Sequence, residues 1–189
     1  FGILAILKYT NMFIVTFTGF KTVDFILPMG ISFYTFQSTG YLIDVYRGVA
    51  AAEKNPFRYA LFVSFFPQLV QGPISRWNDL KTSLFGRHSF SWINLQNGFE
   101  RMLWGYFKKM VIADRAAIGL ATIQSDCSTY YGAYAFVGML LYAIDLYADF
   151  TGGIDVTIGA AQMFGITLPE NFKRPFFSKS IAEYWRRWH

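Results

Sequence analysis

Long uncharged runs separated by short basic connections set the pattern of this chain, and they predict helices of membrane length rather than strands. Residues 1–20 are apolar apart from Lys8 and a few small polar side chains, which reads as one membrane helix. A polar turn over 21–24 leads to residues 25–43, which carry no charge. That is about the ~20 residues a bilayer-spanning helix requires. Pro28 falls near its start, where proline is tolerated. Residues 47–58 form a basic connection ending in the turn signal Asn55-Pro56. Residues 59–75 are again uncharged, but Pro67 interrupts them and Gly72-Pro73 closes them.

The connections on both sides of 59–75 are basic, with Arg47, Lys54 and Arg58 before and Arg76, Lys81 and Arg87 after. Cytoplasmic loops carry the excess of Lys and Arg, so a segment that returns to its starting side fits better than a full crossing. The expectation is a re-entrant or interfacial piece, its irregular backbone enclosed by protein. Residues 98–122 have helical periodicity. Arg101, Lys108 and Arg115 recur every seven residues on one face with Lys109 beside it, the pattern of an amphipathic helix whose cations reach toward lipid headgroups. After a polar loop over 125–132, an uncharged run reads as a membrane helix leading to Asp145 and Asp149. Gly152-Gly153 predicts a break, and 156–169 form a second uncharged stretch rich in small residues. Residues 172–189 are basic and aromatic.

Composition sharpens this picture. Of 189 residues, 53% are hydrophobic and 20% aromatic, and only 15% are charged, against roughly 25% in soluble domains. The mean hydropathy is +0.28. So few charges cannot cover a soluble surface. The net charge of +5 is spread between uncharged runs, which suits membrane loops and not nucleic-acid binding. The single Cys127 excludes an intrachain disulfide, and two histidines with one cysteine argue against a histidine/cysteine metal site. There is no Gly-x-Ser-x-Gly elbow and no phosphate-binding glycine loop, which argues against a serine hydrolase or a nucleotide-driven enzyme. Cys127 has no basic neighbour to activate its thiol, and His88 reads as a surface histidine.

Four ordered blocks resemble the membrane-bound O-acyltransferase family, most of all its bacterial branch of alginate O-acetyltransferases and teichoic-acid D-alanyl transfer proteins. They are LPMGISFYTFQSTGYLIDVYRG at 27–48, FFPQLVQGPISRW at 65–77, GYFKKMVIADR at 105–115, and 147–189 with YADFTGGIDVTIGAAQMFGI, LPENFKRPF and YWRRWH. The resemblance implies an all-α, polytopic membrane helix bundle with broken or re-entrant and interfacial amphipathic helices. Residues 1–189 would be one partial domain, a central piece with both ends missing and inactive alone. Its place would be the bacterial inner (cytoplasmic) membrane, crossed several times.

The resemblance also implies transfer of an acyl group, acetyl foremost, from a cytoplasmic thioester-type donor to hydroxyls of an exported cell-surface polysaccharide, as in alginate biosynthesis. No cofactor would be bound; acetyl-CoA or an acyl carrier would be the co-substrate. The partners would be the lipid bilayer and an extracytoplasmic acyl-acceptor or transfer protein. His189 is the leading catalytic candidate, since a histidine can take the hydroxyl proton near neutral pH. The family has a second important histidine farther along, so His189 either removes the proton or orients and polarises. Arg186 and Arg187 either bind an anionic donor or anchor a helix end; Lys173 and Arg174 read as anchors. Asp145, Asp149 and Asp155 lie in or beside apolar sequence, where carboxylates are costly; they read as structural ion-pair partners, with a tunnel-wall or functional role as the alternative. Gln68, Gln71, Gly72 and Pro73 either line an acyl tunnel or make a tight turn. Asn171 reads as a cap. Two readings from other classes stay open: a transporter or channel, in which intramembrane aspartates and broken helices are common, and a non-catalytic export subunit.

Overall fold

A computed structural model describes residues 2–17 and 29–188. The described residues are helical, and the one β-type pairing among them is an isolated antiparallel bridge between Phe172 and Trp188. The chain divides into two compact units, Phe1–Val70 with Ile74–Phe85, and Gln71–Pro73 with Gly86–His189.

The first unit contains α1 (Gly2–Phe17), α2 (Ile31–Tyr46), α3 (Pro56–Val63), a 3₁₀ turn (Phe66–Gln68) and α4 (Trp77–Leu84). Pro28 lies outside the described residues. Asn55 caps α3, its side-chain oxygen accepting the Phe57 and Arg58 N–H groups with Pro56 at the first helical position. The core is aromatic. Phe62 and Trp77 are buried and meet edge to face at 5.0 Å, and Tyr41 lies 5.3 Å from the Trp77 ring. Two polar contacts tie α3 and the connection before it to α2. The buried Gln37 Nε2 donates to the Phe62 carbonyl (2.9 Å), one of the acceptors left over at the end of α3. The Tyr41 hydroxyl accepts the Glu53 N–H (2.7 Å). Residues 59–75 are broken as their prolines demand: α3 stops at Val63, a 3₁₀ turn follows, and non-helical backbone runs to Arg76. Eight residues of α3 extend only ~12 Å, against a hydrocarbon core of ~30 Å.

The second unit is built on a helix pair. α5 (Trp92–Tyr106) continues through a π-helical stretch (Phe107–Ala113) into α6 (Asp114–Ser125); α7 (Ala133–Met163) returns alongside. A 3₁₀ turn (Pro175–Phe177) and α8 (Ile181–Arg187) complete it. Among the described residues α7 is the helix long and apolar enough to cross a membrane. Phe136, Met139, Tyr142 and Leu146 stand about half exposed along it, a surface suited to lipid and not to water.

The break expected at Gly152-Gly153 does not occur: α7 runs through both residues. The physical reason is the neighbouring helix. A Cβ on Gly152 would lie 2.8 Å from the Gly105 carbonyl oxygen, one on Gly105 2.6 Å from that of Gly152, and one on Gly98 2.6 Å from that of Gly159. The two glycine pairs are seven residues apart on each helix of the antiparallel pair, so backbone meets backbone where side chains would hold the helices apart. Gly153 faces another way and receives the Gln71 side chain. Helix α7 ends where glycine is needed. Gly165, at φ 76°, donates to the Gln162 carbonyl, and Ile166 donates to that of Ala161, which closes the last turn.

The π stretch changes the register of the pair. Continuing the seven-residue repeat would set Gly119 against Gly138. Instead a Cβ on Gly119 would meet Leu141 and one on Gly138 would meet Leu120 and Ile123. The basic face that the periodicity aimed at headgroups turns to α7 instead, where carboxylates compensate its cations. Lys108 and Lys109 both reach carboxylates of α7, as does Arg101; Arg115 is exposed.

Candidate active site

The end of the second unit folds back on α7 through aromatic rings. Lys173 N–H donates to the Arg187 carbonyl (2.9 Å), beside the Phe172–Trp188 bridge. The Trp188 ring then sits among Phe172 (5.0 Å), Tyr184 (5.5 Å, stacked), Tyr147 (5.9 Å) and Phe176 (6.2 Å). Edge-to-face and stacked contacts of this kind fix ring positions as well as contribute energy. They fix the residue next to His189, which itself lies outside the described residues.

α8 begins with a reciprocal cap. The Ser180 hydroxyl accepts the Glu183 N–H (3.1 Å), and the Glu183 carboxylate accepts the Lys179 N–H (2.8 Å). Glu183 also accepts from Arg187 Nη2 (2.5 Å). The Lys179 N–H first, and Arg187 second, hold the Glu183 carboxyl below the usual carboxylate range. Arg187 is thus engaged by its own helix, whereas Arg186 is exposed. Tyr147 and Phe176 also border an apolar groove of about 380 Å³, with Trp104, Ile112, Leu140 and Ile144 as further walls.

A second cluster forms where α5 faces α7. Asp155 accepts from Arg101 (2.8 Å) through one oxygen and from Lys108 through the other. Arg101 reaches further to Glu170, holding both its oxygens, at 2.6 Å from Nη1 and 2.7 Å from Nη2. Lys109 pairs with Asp149, nearly two turns earlier on α7. Asp145, the third carboxylate singled out in the sequence, lies in the same helix and is half-buried. The Arg101–Glu170 pair borders a cleft of about 240 Å³, which Asn94, Gln162 and Thr167 also line. His88, exposed as its sequence context predicts, lies at the same place, its Nδ1 3.2 Å from where a Cβ on Gly165 would stand. Arg101, Lys108 and Glu170 were not legible as a cluster; the seven-residue spacing of the two cations was the available signal.

Gln68 and Gln71 go to different units. Gln68 is buried and donates to the Ser75 hydroxyl (2.6 Å). Gln71 lays its amide on Gly153, and its carbonyl accepts the Thr157 hydroxyl (2.8 Å). Gly72 and Pro73 are buried in non-helical backbone.

The model of the MBOAT, membrane-bound O-acyltransferase, family matches residues 49–189. The chain belongs to this family. Across its whole length this O-acyltransferase-family chain is 39% identical to a probable alginate O-acetylase of Pseudomonas putida, of which it covers 40%. Again over its whole length it is 34% identical to a peptidoglycan O-acetyltransferase of Helicobacter pylori, covering 42%. Across 85% of the chain it is 28% identical to a teichoic acid D-alanyltransferase of Bacillus subtilis, covering 41%. The chain therefore spans about two fifths of the length of these relatives.

Proposed function

We propose that the full-length protein is a multi-pass enzyme of the bacterial cytoplasmic membrane that O-acylates an exported cell-surface polysaccharide, acetyl being the group best supported. The observation that carries the proposal is the match over 49–189 together with whole-chain similarity to relatives named for O-acetylation of alginate and of peptidoglycan. The donor is a thioester, acetyl-CoA or an acylated carrier, on the cytoplasmic side. An acceptor hydroxyl oxygen attacks the acyl carbonyl carbon, forming the C–O bond; the C–S bond breaks, and the thiolate leaves and is protonated. His189 takes or polarises the hydroxyl proton, and the ring packing around Trp188 holds that stretch of backbone in place. An acceptor or transfer protein outside the membrane receives the group. The broken stretch at 59–75 enters the membrane and returns. The aspartates of α7 that face cations support this reading over a transporter, where carboxylates must exchange partners along a pathway.

The test is replacement of His189 by alanine in the full-length protein, with polymer O-acetylation measured in cells and membrane insertion checked by fractionation. Loss of acetylation by about a hundredfold or more is expected for removal of a proton-transfer group. Undiminished acetylation by inserted protein refutes the assignment.

A further inference from the structure

The Arg101–Glu170 pair has the geometry of an occupied anion site. Arginine recognises carboxylate and phosphate through two parallel N–H···O bonds, and Glu170 receives that pair of bonds in a cleft lined by Asn94, Gln162 and Thr167. The two carboxylates on Arg101 differ in setting. Asp155 is largely covered, with a side chain 15% exposed, and Lys108 holds its second oxygen; the Glu170 side chain is 52% exposed and sits after the end of α7. With Glu170 in place the cluster is neutral, two cations against two carboxylates. With Glu170 turned out, one positive charge is left in excess beside a cleft of about 240 Å³. A phosphate group restores the balance and meets the same two N–H groups.

We propose that Arg101 is an anion subsite for a phosphate-bearing ligand, with Glu170 as the internal group that the ligand displaces. Assigning that ligand to the acyl donor rests on the acyl-transfer reading above; the anion subsite itself does not. Lys108 keeps Asp155 paired while Glu170 leaves, so the exchange need not expose a covered carboxylate. Asn94, Gln162 and Thr167 supply uncharged hydrogen-bonding groups around the site.

Calorimetry on the purified full-length protein with inorganic pyrophosphate as the probe tests this. Replacing Glu170 by glutamine removes the competing charge while leaving shape intact, and tightens binding about threefold to fivefold, the scale of an exposed ion pair. Arg101→Lys loses the two-bond geometry and weakens binding by at least a similar factor. Glu100→Gln removes the same charge one position away and leaves binding unchanged. Equal affinity in wild type, Glu170→Gln and Arg101→Lys overturns the subsite. Coenzyme A competes with pyrophosphate if the donor is the ligand. Competition by phosphatidylglycerol nanodiscs, with none by coenzyme A, overturns the donor assignment. Neither result depends on polymer acetylation, so a failed subsite and a failed enzyme assignment are told apart.

Discussion

The acidic residues of α7 differ in what surrounds them, and that difference sets what each contributes. Asp155 and Lys108 are each about 15% exposed as side chains, whereas Lys109 and Asp149 are nearly half exposed. Removing one partner of a covered pair leaves a charge without compensation, at ~3–5 kcal/mol for full burial. Asp155→Asn should therefore destabilise by about 1–3 kcal/mol, discounted for partial exposure. Thermal unfolding of the variant in detergent checks this, and an unchanged midpoint counts against the pairing. The presence of cations opposite apolar-flanked aspartates could be read from sequence. Which cation meets which aspartate could not, because Arg101 and Asp155 are 54 positions apart, and Lys108 and Asp155 47.

The long helices were legible in position; the short α4, which lies in the stretch read as a basic connection, was not, nor were helix ends and interruptions. Uncharged runs located α2 and α7, and the seven-residue spacing of cations located α5 and α6. Gly152-Gly153 misled because glycine interrupts an isolated helix, costing ~1 kcal/mol against alanine, whereas here the same residues admit a neighbouring backbone. The complementary signal was in the chain: Gly98 and Gly105 share the spacing of Gly152 and Gly159. The Ser180-x-x-Glu183 cap at α8 was equally available. The helix seam predicts an order among glycine substitutions. Gly105→Ala and Gly152→Ala place a methyl against a carbonyl oxygen and should cost about 1–3 kcal/mol. At Gly153 the atoms met first belong to the Gln71 side chain, which can swing away, so Gly153→Ala should cost less. Unfolding midpoints of the three variants decide it; a Gly153 variant as unstable as the other two refutes the account.

For the molecule as a whole, the membrane assignment follows from composition and the family from ordered motifs, and both are properties of the amino-acid sequence alone. The two compact units are not. The uncharged runs continue past their boundary, and the aromatic core of the first unit assembles residues from α2, α3 and α4 that no single motif contains. The aromatic-basic segment ending in His189 stands out in the sequence through its motif, whereas the pairing of Arg101 with Glu170 depends on tertiary contact and does not. Topology gives a direct check. Cysteines introduced into the connections at 47–58 and 76–90 of the full-length protein should both react with an impermeant maleimide from the cytoplasmic side. Reaction from opposite sides excludes a returning segment at 59–75.

The π turn has one further implication, for how the sequence can vary. A helix tolerates side-chain replacement far better than a change in residue count, since one residue more or less rotates everything beyond it by about 100°. The glycine contacts of α5 and the buried Ala116 of α6 lie on opposite sides of 107–113. This stretch thus acts as a phase joint between two stretches of helix that keep independent alignments against α7. A residue inserted or deleted there should cost least, and anywhere else along the pair it would unseat every contact on one side at once.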